Sequence, residues 1–135
     1  MKKEDFEFLK EDLREFLTIT EDNYISKNFK LISMYQKYLE IYIRELRSFK
    51  ILLGNLDSLK AELHHFYKFK YEYKLSSLSE IETAINGNKE YIKLSREINE
   101  QENYIKFLEM SLKSIKDCHY VIKNYIDYLK IQMGD

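Results

Sequence analysis

A long run of heptad spacing constrains this chain more than any other feature. Tyr91, Leu94, Ile98, Gln101, Ile105, Leu108, Leu112, Ile115, His119, Ile122, Ile126, Leu129 and Met133 follow one another in steps of three and four. Only Gln101 and His119 are polar. Such a repeat places one apolar seam along a single continuous helix. A second seam precedes it: Ile32, Tyr35, Leu39, Tyr42, Leu46, Phe49, Leu53, Leu56, Lys60, Leu63 and Tyr67, with Lys60 its one polar member. Helices this long require that nothing interrupts them. The 135 residues contain no proline and three glycines, of which only Gly54 falls inside a seam region, where it costs about 1 kcal/mol relative to alanine.

Both seams are wide. Leu31, Tyr38, Leu52, Leu59 and Phe66 flank the first, and Tyr104, Phe107, Val121, Tyr125 and Tyr128 flank the second. A face covering three or four heptad positions belongs to a bundle member, not to a two-stranded pair. The expected fold is therefore all-α: two long heptad-patterned helices, a short N-terminal helix and a short connecting segment. The surplus apolar surface is expected to close a multi-chain ring or bundle. Leu94, Ile98, Ile105, Leu108, Leu112, Ile115, Ile122, Ile126 and Leu129 are the expected oligomerisation residues. Gln101 and His119 are expected at the seam edge, reaching water.

The chain reads as one helical domain over 1–135. Residues 1–23 form an acidic arm with a short amphipathic helix, marked by Phe6, Leu9, Leu13, Phe16 and Leu17. The first long helix covers 26–66, an aromatic and basic connection covers 67–88, and the C-terminal helix covers 89–133. Within 67–74, aromatic and charged residues alternate with period two, a strand signal. Ser79 and Glu82 have the spacing of a capping box, a short helix ends at Gly87, and Asn88 is suited to cap the last helix.

The net charge of −1 announces no strongly charged partner, yet it is unevenly placed. Residues 1–22 carry four basic and eight acidic side chains, and the rest carry 18 basic and 15 acidic. Cys118 is the single cysteine, which favours a reducing compartment. No apolar stretch near Met1 reads as a secretory signal, and no run is apolar enough for a membrane span. A cytoplasmic location is expected.

Catalytic motifs are missing: no glycine-rich phosphate loop, no His-Glu-x-x-His, no nucleophile elbow. His64 and His65 diverge by about 100° on a helix. Asp117, Cys118 and His119 diverge in the same way. The expectation is a non-enzymatic protein with no cofactor and no metal.

The segment from Lys60 to Lys74 carries the strongest functional signal. Lys60, Lys68, Lys70 and Lys74 are interleaved with Phe66, Tyr67, Phe69, Tyr71 and Tyr73, beside His64 and His65, with Glu62 and Glu72 offsetting part of the charge. Lysines neutralise phosphates, and aromatic faces accept stacked bases at about 1–3 kcal/mol each. Lys60, His64, His65, Tyr67, Lys68, Phe69, Lys70, Tyr71 and Lys74 are the candidate contacts to single-stranded DNA. The bland alternative packs these aromatics onto the bundle and leaves the lysines merely solvated. The rival function is a helical scaffold that does not bind DNA.

The layout resembles the UvsY recombination mediators of T-even-like phages. The resemblance covers most of the chain and is carried by the order of its segments. These are the acidic start at Glu4-Asp5, Met34-Tyr35-Gln36-Lys37-Tyr38-Leu39, Leu59-Lys60-Ala61-Glu62-Leu63 followed by aromatics at 66 and 67, and Thr83-Ala84-Ile85-Asn86-Gly87-Asn88-Lys89-Glu90-Tyr91-Ile92-Lys93. It implies a ring-shaped homo-oligomer, of roughly six or seven subunits, that binds single-stranded DNA. It also implies a mediator without enzymatic activity that helps load a phage recombinase onto DNA covered by a single-strand-binding protein, in the host cytoplasm. The family's Lys-Ala-Arg-Leu segment, tied to DNA binding, reads Lys60-Ala61-Glu62-Leu63 here. Glu62 reverses a charge, for which Lys68, Lys70 and Lys74 are expected to compensate.

Overall fold

A computed structural model describes residues 1–134. The elements are α1 (Lys3–Leu17), α2 (Tyr24–His65), a π-helical turn (Phe66–Lys70), α3 (Leu78–Asn86) and α4 (Lys89–Gln132). There is no strand among the described residues. The chain divides into two compact units, Met1–Glu45 with the residues from Tyr104 onward, and Leu46–Asn103. The two long helices contribute to both.

In the first unit, Leu9 and Phe16 of α1, Tyr38 of α2, and Leu108, Ile115, Cys118 and Ile122 of α4 form one buried cluster. The N-terminal arm is thus a core element. Its i, i+3, i+4 apolar positions dock while Glu4, Glu7 and Glu11 stay outside. Phe6 lies edge-on to Phe107 (4.9 Å) and tilted against Tyr104 (4.8 Å). The Tyr38 hydroxyl lies 2.9 Å from the Leu9 carbonyl oxygen and 3.2 Å from the Asp12 carboxylate. Lys37 reaches Asp12 at 2.9 Å. The polar break between α1 and α2 is closed by its own side chains. Asn23 accepts from the Thr20 amide (2.8 Å) and donates to the Thr18 carbonyl (3.2 Å). The Lys27 ammonium donates to the Glu15 and Thr18 carbonyls at the end of α1, the first of which also accepts from the Thr18 amide.

The buried line along α4 departs from the expected heptads. Ile98, Gln101, Ile105 and Leu108 are buried as that register requires, but Ser111 and Cys118 are then buried in place of Leu112 and His119. An α-helix drifts about 20° per heptad against a strict seven-residue repeat, so a straight helix hands the core from one register line to its neighbour. Leu112 still packs on the flank of the cluster, and His119 is exposed. Gln101, expected to reach water, is only 5% exposed.

The second unit has a smaller core, Leu63, Ile81 and Ile85, with Leu59, Tyr67, Leu75 and Tyr91 packed around it. Here α3 starts earlier than the Ser79–Glu82 pair predicts. Ser77 is the N-cap and accepts from the Glu80 amide at 3.2 Å, while the Glu80 carboxylate reaches back to the Ser76 amide at 2.7 Å. The earlier box wins because it adds the turn that buries Ile81 (5% exposed) in line with Ile85 (1%). Asn88 caps α4, accepting from the amides of Glu90 (3.0 Å) and Tyr91 (3.2 Å).

Candidate nucleic-acid interface

The aromatic and basic segment follows α2 without a break and does not become a strand. A lone strand leaves its N–H and C=O groups without partners, and no other part of this helical chain offers an edge. Instead α2 widens into the π-helical turn Phe66–Lys70, and the backbone turns extended at Tyr71 (φ −68°, ψ 143°). π-turns of this kind recur at functional sites.

The rings gather on one another. Tyr67 and Tyr71 meet edge to face at 5.0 Å, Phe66 and Tyr67 at 5.2 Å, and Tyr71 and Tyr73 at 5.7 Å. His65 tilts against Phe69 at 5.0 Å, and the Lys68 ammonium lies 5.3 Å from the Phe69 ring centre. Tyr67 is the anchor: it is half-buried against the Leu63 cluster, and its hydroxyl accepts from the Asn88 side-chain amide at 3.1 Å.

Of the candidate contacts, Lys60, His65, Lys68, Phe69, Lys70, Tyr71 and Lys74 are exposed, while His64 and Tyr67 are half-buried. Phe69 keeps 66% of its surface in water and Tyr73 65%. Among the described residues no ion pair engages Lys60, Lys68, Lys70 or Lys74. Glu62 is exposed and lines a surface depression with Ala61, His65, Phe66 and Lys70. The arrangement presents unneutralised cations beside open aromatic faces, the two elements that hold a single strand through phosphate neutralisation and base stacking.

The expected oligomerisation residues fall into two groups in the single chain. Ile98, Ile105, Leu108, Ile115 and Ile122 are buried in the single chain, and Leu94, Leu112, Ile126 and Leu129 are half-buried. The first unit exposes other apolar side chains: Ile25, Phe29 and Ile32 on α2, and Met110, Tyr120, Val121, Tyr128 and Ile131 on α4. Sequence reasoning missed Ile25 and Phe29 because they precede the first heptad seam. An apolar groove of about 500 Å³ runs beside them, lined by Leu31, Ile32 and Tyr35 and by Ile115, His119 and Tyr120.

The family model described as "Recombination, repair and ssDNA binding protein UvsY" matches residues 9–135. The chain belongs to the UvsY family. Its fold is that of a solved member: crystal structures of the bacteriophage T4 recombination mediator protein UvsY superpose with TM-scores of 0.84 (lattice type II) and 0.83 (lattice type IV). The type II match is 18% identical and covers 99% of both chains, and the type IV match is 17% identical over 98% of this chain and 99% of that one. No curated protein matches the sequence closely enough to report. UvsY membership makes this a recombination and repair protein that binds single-stranded DNA. Among its described residues no helix is long and apolar enough to cross a membrane.

Proposed function

We propose that this UvsY-family chain acts as a homo-oligomeric recombination mediator, and that the π-turn segment carries its contact with single-stranded DNA. The observation supporting this reading most strongly is the conjunction at Lys68, Phe69 and Lys70: two exposed, unpaired cations flank an open ring at the end of a long helix. Lys60 and Lys74 extend the charge on either side, with His65, Tyr71 and Tyr73 offering further rings. Each subunit binds weakly, and a ring of subunits binds through effective concentration. The strand held extended is then a template on which recombinase subunits nucleate as single-strand-binding protein is displaced. This activity needs no catalysis and no cofactor, and it takes place in the cytoplasm of the phage's host.

The intersubunit surface is assigned here to the apolar stripe Ile25, Phe29 and Ile32 and the groove beside it. Helical spacing puts the three residues on one face, and Phe29 and Ile32 keep 81% and 78% of their surfaces exposed in the single chain.

The DNA contact is tested by changing Lys68, Lys70 and Lys74 to alanine together. Salt-titrated anisotropy with a labelled oligo-dT is expected to show a log–log slope shallower by about two, since each phosphate contact on a single strand contributes about 0.7. An unchanged slope and affinity would remove the segment from the binding surface.

A further inference from the structure

We infer that the surface depression lined by Ala61, Glu62, His65, Phe66 and Lys70 is a nucleotide subsite, in which Glu62 selects a base that donates from its edge, cytosine over thymine or uracil. The inference rests on the DNA-binding role proposed above and adds a base preference to it.

The depression joins the end of α2 to the π-turn and holds about 440 Å³. At 100° per residue, Ala61, Glu62, His65 and Phe66 lie within about 140° of arc on one side of the helix. Two rings are held in place there by other rings. Phe66, 41% exposed, meets Tyr67 and Tyr71 edge to face at 5.2 and 6.0 Å, and His65 tilts against Phe69 at 5.0 Å. The two charges in the depression are of opposite sign. Glu62 and Lys70 are both exposed, and among the described residues neither enters an ion pair, with the other or with anything else. Their positions are separated by about 12 Å along the axis at 1.5 Å per residue, somewhat less through the π-turn.

That polarity matches one nucleotide. With a phosphate on Lys70 and the base beside Phe66, the outer edge of the base reaches toward Glu62. An ionised carboxylate only accepts hydrogen bonds. Cytosine presents its N4 amino group as a donor, where thymine and uracil present the O4 acceptor. Their N3–H lies between two carbonyl oxygens that repel a carboxylate. An acid weakens a surface that grips only phosphates, and strengthens one that also reads an amino group. The lysines of the segment position the strand without sequence information, and Glu62 supplies the discrimination.

The test compares the full-length parent, E62A and E62Q on labelled oligo-dC and oligo-dU of equal length, at pH 8, where cytosine is unprotonated, and at one salt concentration. Cytosine and uracil differ only at the edge that Glu62 is inferred to read. The ratio of the two affinities is the readout, because loss of the charge alone changes both affinities alike. The parent is expected to favour oligo-dC by about fivefold. E62A is expected to bring the ratio to about one, and E62Q to do the same, since an amide donates to O4 as readily as it accepts from N4. Glu62 is exposed, and circular dichroism checks that helicity is kept. A parent that binds both strands equally overturns the subsite while the π-turn reading stands. A preference that survives in E62A overturns it too, by placing the discrimination elsewhere. A parent that binds neither strand sinks the π-turn reading and the subsite together.

Discussion

Tyr38 shows how one side chain joins the acidic arm to the first long helix. Its ring has no exposed surface, and its hydroxyl shares a proton between the Leu9 carbonyl and the Asp12 carboxylate. Burial, then the charge and hydrogen bond of Asp12, push the phenol well above its ordinary 10. In the unfolded chain the same phenol titrates near 10. Above about pH 10 the unfolded state therefore loses a proton that the folded state keeps, and stability present below that pH declines as pH rises. Tyr38→Phe is expected to cost about 1–2 kcal/mol at pH 8, because the Leu9 carbonyl and the Asp12 carboxylate lose the buried phenol, although Asp12 keeps Lys37. It is also expected to flatten part of the alkaline decline. Urea unfolding of parent and variant at pH 8 and pH 10.5 measures both effects, and parallel declines would show that the phenol does not titrate differently on folding. Tyr42, raised by burial and by its hydrogen bond to Glu109, contributes in the same direction and persists in the variant.

At the scale of elements, helix continuity is the property most open to direct measurement. Gly54 sits inside α2 with nothing within 4 Å of an added Cβ. Gly54→Ala is expected to stabilise the chain by about 0.5–1 kcal/mol and to raise Tm by about 2–4 °C, read by thermal circular dichroism. A lowered Tm would mean that α2 needs flexibility at that point. The existence and length of α2 and α4 were legible because apolar steps of three and four over eleven and thirteen positions admit no other period. Their registers were less so. Ser111 and Cys118 entered the core ahead of Leu112 and His119 because the core line follows a 3.6-residue turn, and neither small residue carries an apolar signal strong enough to betray it. The alternation over 67–74 misled for a different reason. Period two reports a strand only where a partner strand exists, and here aromatic rings packing on one another produced the same pattern. Residue types in the candidate DNA site were legible from composition. The division between an anchored Tyr67 and open Phe69 was not, since it depends on Asn88, twenty-one residues away.

Assembly and binding meet at the scale of the whole molecule. The single chain buries five of the nine residues from which the heptads would build an interface and half-buries the other four, yet it leaves Ile25, Phe29, Ile32, Tyr120, Val121 and Tyr128 in water. Soluble monomers rarely expose apolar side chains in such a concentration. A neighbouring copy that covers the α2 stripe removes that liability without disturbing the core, so the core and the interface are separable by mutation. F29K/I32E is expected to keep parental helicity, because neither position is buried, and to fall from a multi-subunit mass toward the 16.5 kDa of one chain in light scattering. Its DNA contacts stay intact within each subunit, yet its affinity for a long single strand is expected to drop by about 10²-fold or more, as linked weak sites become independent. Binding to an oligonucleotide short enough for one subunit should change little. A variant that keeps the parental mass would move the interface off this stripe. A variant that becomes monomeric and still binds long strands at parental affinity would show that one subunit alone holds the strand.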